Sequence, residues 1–117
     1  MNTRKHYKHC FAVAAYGESP YLPLLLHSLK IQSIESRVII CTSTPNRYIT
    51  KLSAQFGYPV YVRNGAHGLQ QDWNFAYEMG AERSELVTIA HQDDLYFPDY
   101  TPDEMVAIFR MRCDKNA

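Results

Sequence analysis

The sequence predicts an α/β fold, a mostly parallel sheet with helices on both faces, and three observations predict it. Short apolar runs rich in β-branched residues alternate with stretches that carry apolar residues at helical spacing. Two of those helical stretches open on a hydroxyl residue followed by proline, Ser19-Pro20 and Thr44-Pro45. The run Leu86-Val87-Thr88-Ile89-Ala90 ends abruptly in His91-Gln92-Asp93-Asp94. That run is too short and β-rich for a helix and too apolar to be half exposed, so it reads as a buried strand. Open α/β sheets bind ligands outside the carboxyl ends of their strands, which is where the polar block falls.

The elements follow in order. Cys10 to Ala14 is a first buried strand. Ser19-Pro20 caps a helix whose stripe is Leu22, Leu25, Leu26 and Leu29, ending near Gln32. Arg37 to Cys41 is a second strand, and Thr44-Pro45 starts a helix with Ile49, Leu52 and Phe56 on its inner face. Gly57-Tyr58-Pro59 ends it, and Val60-Tyr61-Val62 is a short third strand. A loop with Gly65 and Gly68 opens a third helix from about Gln70 to Met79, with Trp73, Ala76 and Tyr77 on one side. The Leu86 strand follows. Leu95 to Asp99 breaks regular structure, and Thr101-Pro102-Asp103-Glu104 is a capping box that starts a last helix through Met105, Ile108 and Phe109. The alternation implies right-handed crossovers.

Composition narrows the function. The chain has 117 residues and reads as one domain over 1–117, large enough to bury roughly two-thirds of its unfolded surface. Twelve basic and twelve acidic residues give no net charge, which argues against a nucleic-acid partner and against an anionic membrane footprint. The basic start, with Arg4, Lys5, Lys8, His6 and His9, reads as a flexible tail over 1–9. The short apolar stretch behind it is no signal peptide, and no window reaches transmembrane length. Cys10, Cys41 and Cys113 form no Cys-x-x-Cys, so buried reduced thiols and a cytoplasmic location are expected, with the membrane surface reached only through partners.

Three segments converge at the carboxyl edge: Ala15-Tyr16-Gly17-Glu18, Thr42-Ser43-Thr44 and His91-Gln92-Asp93-Asp94. Tyr16 suits stacking on a base, Glu18 suits accepting from a hydroxyl or amide, and the Thr42 and Ser43 hydroxyls suit a base carbonyl. Each has a plain alternative, since Thr42 and Ser43 are good turn residues and Glu18 favours a helix N-terminus. Asp93 and Asp94 side by side would repel and lose hydration without compensation. A hard divalent ion, Mg or Mn, with a diphosphate sharing it is the simplest compensation; capping of the following turn is the alternative. His67 sits beside Gly68, near enough to approach phosphate, but reads first as a turn residue.

From Phe11 to Tyr100 the chain resembles the N-terminal, nucleotide-sugar-binding half of family-2 glycosyltransferases of the GT-A fold, a Rossmann-like architecture here in truncated form. The resemblance rests on Ala15-Tyr16-Gly17-Glu18-Ser19 after the first strand, Ser28-Leu29-Lys30-Ile31-Gln32 in the first helix, and Gly68 to Ala76 at the start of the third. The family's Asp-x-Asp strand end falls on His91-Gln92-Asp93-Asp94, with Pro98 beyond. The resemblance implies a nucleotide-diphosphate sugar, a UDP-sugar first, bound by Ala15, Tyr16, Glu18, Thr42, Ser43, Asp72, Trp73, Asn74 and Gln92. It implies a divalent metal on Asp93, supported by Asp94 and His91, inverting transfer of the sugar to an acceptor hydroxyl, and a place in polysaccharide biosynthesis.

Departures from the family pattern shape these expectations. The second strand ends in Cys41-Thr42-Ser43-Thr44 where the family has an aspartate for uracil. His91 replaces the first acid of Asp-x-Asp, and Trp73 stands where an arginine is common, which suggests a stacking wall in place of a positive charge. The family's acceptor region and catalytic carboxylate follow the Asp-x-Asp strand; here no later acid is placed as a base, so a general base is expected beyond Ala117. An exposed sheet edge or the C-terminal helix is then expected to be covered, by self-association or by further chain. The alternative to an enzyme is a non-catalytic nucleotide-sugar-binding module. A receiver-like flavodoxin fold is the third reading, disfavoured by the absence of paired acids after the first strand and of an aspartate after the third, and other nucleotide folds fare no better without a Gly-x-Gly-x-x-Gly or Walker loop.

Overall fold

A computed structural model describes residues 7–32 and 35–94. Seven elements alternate: β1 (His9–Ala14), α1 (Leu22–Lys30), β2 (Arg37–Thr42), α2 (Arg47–Phe56), β3 (Val60–Val62), α3 (Leu69–Ala81) and β4 (Leu86–His91). The predicted α/β fold is the one observed. The four strands form one parallel sheet in the order β3-β2-β1-β4. The chain thus builds outward from β1 through β2 to β3, then crosses back to place β4 on the other side of β1. That reversal leaves a crevice between the carboxyl ends of β1 and β4, where crossovers diverge to opposite faces. The helix predicted from Thr101 and the Leu95–Asp99 break lie outside the described residues, as do residues 1–6. Among the described residues no helix is long and apolar enough to cross a membrane.

Strand alternation divides the core in two. Phe11, Val13, Ala15, Val38, Ile40 and Ala90 face α1 and α2, where all four leucines of the α1 stripe are buried together with Ile49 and Leu52. Each buried leucine contributes about 2 kcal/mol. Cys10, Ala12, Ile39 and Cys41 face the other way and meet Ala76, with Phe75 and Met79 packed alongside. Burial pushes the Cys10 thiol up to about 11; burial and the nearby Cys10 push Cys41 up to about 12, so neither thiol is a nucleophile near neutral pH.

The face α3 presents to the sheet differs from the one predicted. Asp72, Ala76 and Gly80 are its buried positions, while Trp73 and Tyr77 stay 39% and 56% exposed. A Cβ built at Gly80 would lie 2.7 Å from Val87 Cγ1. The helix therefore turns Asp72, Ala76 and Gly80, at i, i+4 and i+8, inward and at Gly80 sits too close to the sheet for an aromatic ring to fit beneath it.

Other boundaries shift for local reasons. Asn46, not Thr44, caps α2, its side chain accepting from Ile49 N at 2.8 Å. Gly57 ends that helix at φ 75°, a left-handed position that glycine takes without a Cβ penalty. Helix α1 begins at Leu22 after Tyr21, without a side-chain cap; Ser19 closes the preceding turn by accepting from Tyr21 N at 3.2 Å. Pro23 occupies its first turn, where no N–H is needed. The expected tail ends before residue 9. Lys8 O accepts from Leu86 N at 3.0 Å, and His9 opens β1 with its ring nitrogens 2.9 and 2.7 Å from the Ser36 and Thr88 hydroxyls. Strand β4 is less buried than predicted. It pairs with β1 alone among the described residues, and only Ala90 of its six residues is buried.

Candidate functional site

Four loops meet at the carboxyl edge and are tied to one another. At the crevice, the buried Gln92 side chain accepts from Tyr16 N at 2.9 Å, which joins the ends of β1 and β4. Between the β1 and β2 loops, Thr44 Oγ1 accepts from Gly17 N at 3.2 Å and Asn46 Nδ2 donates to Gly17 O at 2.9 Å. Thr42 is buried, and its hydroxyl accepts from Thr44 N at 3.0 Å. Thr42 and Gln92 thus set the loop geometry, with Thr42 Oγ1 and Gln92 Oε1 already engaged inside the protein.

A shallow, open depression with no enclosed volume lies over this edge, lined by Ala14, Ala15, Tyr16, His67, Leu69, Asp72 and Trp73. Ala14 and Ala15 form its floor because strand ends with small side chains leave space above the sheet. Its walls are aromatic. The Tyr16 and His67 rings lie 4.6 Å apart, and His91 stands 6.2 Å from Tyr16 and 6.4 Å from Trp73. Trp73, expected as a stacking wall, is 39% exposed at the rim of this depression.

Asp72 anchors the depression's far side from the first turn of α3. It is 7% exposed, and its two oxygens have different partners. Oδ1 accepts from Arg63 Nε at 2.9 Å and pairs with an Arg63 Nη at 2.8 Å. Oδ2 accepts from Ser43 Oγ at 2.9 Å and lies 2.6 Å from His67 Nδ1. Burial pushes this carboxyl up, but the Arg63 and Ser43 hydrogen bonds and the His67 and Arg63 charges outweigh it and hold it below 3.8. Asp72 is predicted as a ligand-binding residue; its oxygens serve instead to fix Ser43 at the end of β2 and the loop 63–68 that carries His67.

The sequence passes over Arg63 and reads His67 as a turn residue, yet both belong to this cluster. A usable signal was present. An aspartate in phase with Ala76 and Gly80 lies on the buried face of α3 and requires cationic or donor partners, and the nearest basic residues in the chain are His67 and Arg63.

The carboxylates after β4 stand differently. Asp93 has a 47% exposed side chain; its Oδ1 accepts from Ser19 Oγ at 2.8 Å and its Oδ2 lies 3.7 Å from His91 Nδ1. Asp94 Oδ2 accepts from His91 N at 3.3 Å, which folds the turn back on the strand. His91 Nδ1 in turn accepts from Asp93 N at 3.2 Å. Among the described residues no three His, Cys, Asp or Glu side chains converge as a metal-holding group. Mg and Mn sites that share a substrate diphosphate need only one or two protein carboxylates, and of the two acids here Asp93 has the more exposed carboxylate, while Asp94 is turned back onto His91 N. Glu18 and Asn74 lie exposed and do not line the depression. Asn74 is two residues from Asp72, about 200° around α3, which turns it away from the site. No family model, curated protein or solved structure matches this chain.

Proposed function

We propose that this domain binds a nucleotide-diphosphate sugar through a divalent cation, as the donor half of a glycosyltransferase. One observation carries the reading: Tyr16, His67 and Trp73 surround a depression above the end of β1, and the half-exposed Asp93 carboxylate follows β4, the strand paired beside β1. A flat, partly apolar group suits the walls and a polyanion with its cation suits the carboxylates, and a nucleoside diphosphate contains both.

In this reading Tyr16 and Trp73 offer their ring faces to the base while Ala14 and Ala15 let it approach the sheet. Asp93 supplies carboxylate oxygens for the cation, with Oδ1 positioned by the Ser19 hydroxyl. Asp94 holds the turn and adds negative charge. A hard divalent cation, when bound, neutralises the diphosphate and so favours its departure as the acceptor hydroxyl displaces it at the anomeric carbon. The role of general base is assigned to none of the described residues.

Calorimetric titration with UDP tests the reading. Binding in the presence of Mn²⁺ that disappears with a chelator is the expected result. Absence of binding under both conditions overturns it.

A further inference from the structure

The two faces of β4 are covered unequally. On one face α3 packs against the strand, with Gly80 close to Val87. The other face carries Leu86, Thr88 and Ala90, and among the described helices only α3 packs closely on β4. Helix α1 borders this second face. Its far flank meets α2, where Lys30 Nζ donates to Phe56 O at 3.1 Å and lies over the Tyr58 ring. Tyr21 and Ser28 stand roughly half a turn around α1 from Lys30, which turns them toward β4.

A groove therefore runs between α1 and β4. Its rims are large, apolar and exposed: Tyr21 and Leu24 on α1, Leu86 on β4. Between them lie the small, buried Ser28 and Ala90, which leave room for side chains from outside. The hydroxyls beside the groove are already engaged. Ser28 Oγ donates to Leu25 O at 2.7 Å, and the Thr88 hydroxyl pairs with His9 Nε2 at 2.7 Å. Covering these groups with an apolar surface strands neither hydroxyl, whereas a polar ligand finds little here to bind.

We propose that residues 101–112 of this same chain fill the groove, as an amphipathic helix with Met105, Ile108 and Phe109 set between α1 and β4. Length and charge both fit. The chain leaves β4 at Asp94 on the carboxyl edge, and six residues, 95–100, separate it from Thr101. A helix from Pro102 to Arg112 spans about 17 Å and the six residues of β4 about 20 Å, so a helix running back along β4 ends at the amino edge. Arg110 and Arg112 then arrive where the exposed Glu35 and Glu85 stand, just before β2 and β4.

Cys113, one residue beyond this helix, supplies the test. Cys10 and Cys41 are buried with thiols pushed up to about 11 and about 12, so neither competes near neutral pH. In the full chain, Leu86→Cys places a thiol at the amino end of the groove. Tyr77→Cys places one at an equally exposed position on α3, across the sheet. Both proteins are oxidised with diamide at low concentration, and the disulfide within one chain is followed by electrophoresis without reductant. Leu86→Cys is expected to bridge to Cys113 at least about tenfold faster than Tyr77→Cys. Adding Ile108→Lys and Phe109→Lys to the Leu86→Cys protein should bring its rate down to that of Tyr77→Cys, a change that an undocked segment would not show. Equal rates for the two single variants overturn the proposal, as does faster bridging from Tyr77→Cys. Bridges that form only between molecules, and faster at higher protein concentration, overturn it in favour of a second copy.

Discussion

Asp72 and Asp93 stand at the same edge of the sheet in opposite circumstances. Asp72 is 7% exposed and its oxygens meet Arg63, Ser43 and His67. Asp93 has a side chain 47% exposed, with one hydroxyl donor, Ser19, on Oδ1. A carboxylate taken out of water must be compensated, and the partners that compensate it leave no capacity for a ligand. A carboxylate left in water needs no such partners and can exchange its hydration for a cation. Two acids that look alike in the sequence therefore stand apart: one ties the loops of this edge together and the other keeps about half of its side chain in water.

The largest effect that would break this comparison is on stability. Asp72→Ala leaves the Arg63 guanidinium and the Ser43 hydroxyl without their acceptor and releases the loop 63–68. We expect a loss of about 2 kcal/mol in urea unfolding, toward the lower end for a charge pair because Arg63 remains 18% exposed. A loss below about 0.5 kcal/mol, the range of ordinary surface changes, would show that Asp72 is not structural.

Acid unfolding sharpens the same contrast. The Asp72 carboxyl is held below its ordinary value of 3.8 in the folded protein, so the unfolded state binds its proton first. The stability it contributes is fully present above 3.8 and is lost as pH falls through the lower folded value. Asp72→Asn should therefore show a shallower decline in stability below pH 3.8 than the natural protein. Parallel acid limbs in the two proteins would remove the assignment.

Which parts of this were legible in advance follows from the range of the interactions involved. The order of strands and helices was readable because apolar periodicity is local, and the α1 leucines came out buried as their spacing predicts. The phase of α3 was not, because hydrophobicity favours Trp73 and Tyr77 as the inner face whereas the close approach to Val87 at Gly80 decides against them. Helix caps shifted by two residues where Asn46 and Thr44 competed, and Thr44 was drawn off to Gly17 in another loop. At the site, convergence of Tyr16, Ser43 and the 91–94 block at one edge was readable from strand order. The Arg63–Asp72–His67 cluster was signalled only by an aspartate in phase with Ala76 and Gly80 that needs nearby donors; its geometry depends on how a loop folds back over a helix start, which local propensity does not encode.

The smallest expected change in stability belongs to Asp93→Asn, and it is the most informative about the comparison. The side chain is half exposed, and asparagine keeps an oxygen for the Ser19 hydroxyl, so unfolding free energy should move by no more than about 0.5 kcal/mol. The amide is neutral, however, and a poor ligand for a hard cation that otherwise draws on carboxylate charge. Mn²⁺-dependent UDP binding should therefore fall by at least about tenfold while the melt is unchanged. The reverse pattern, a destabilised protein that binds UDP as before, would make Asp93 a turn residue like its neighbour Asp94. The cation would then have to be sought away from β4. An effect on binding alone, set beside an Asp72→Ala protein that loses stability, would separate the two carboxylates by function as they are already separated by burial.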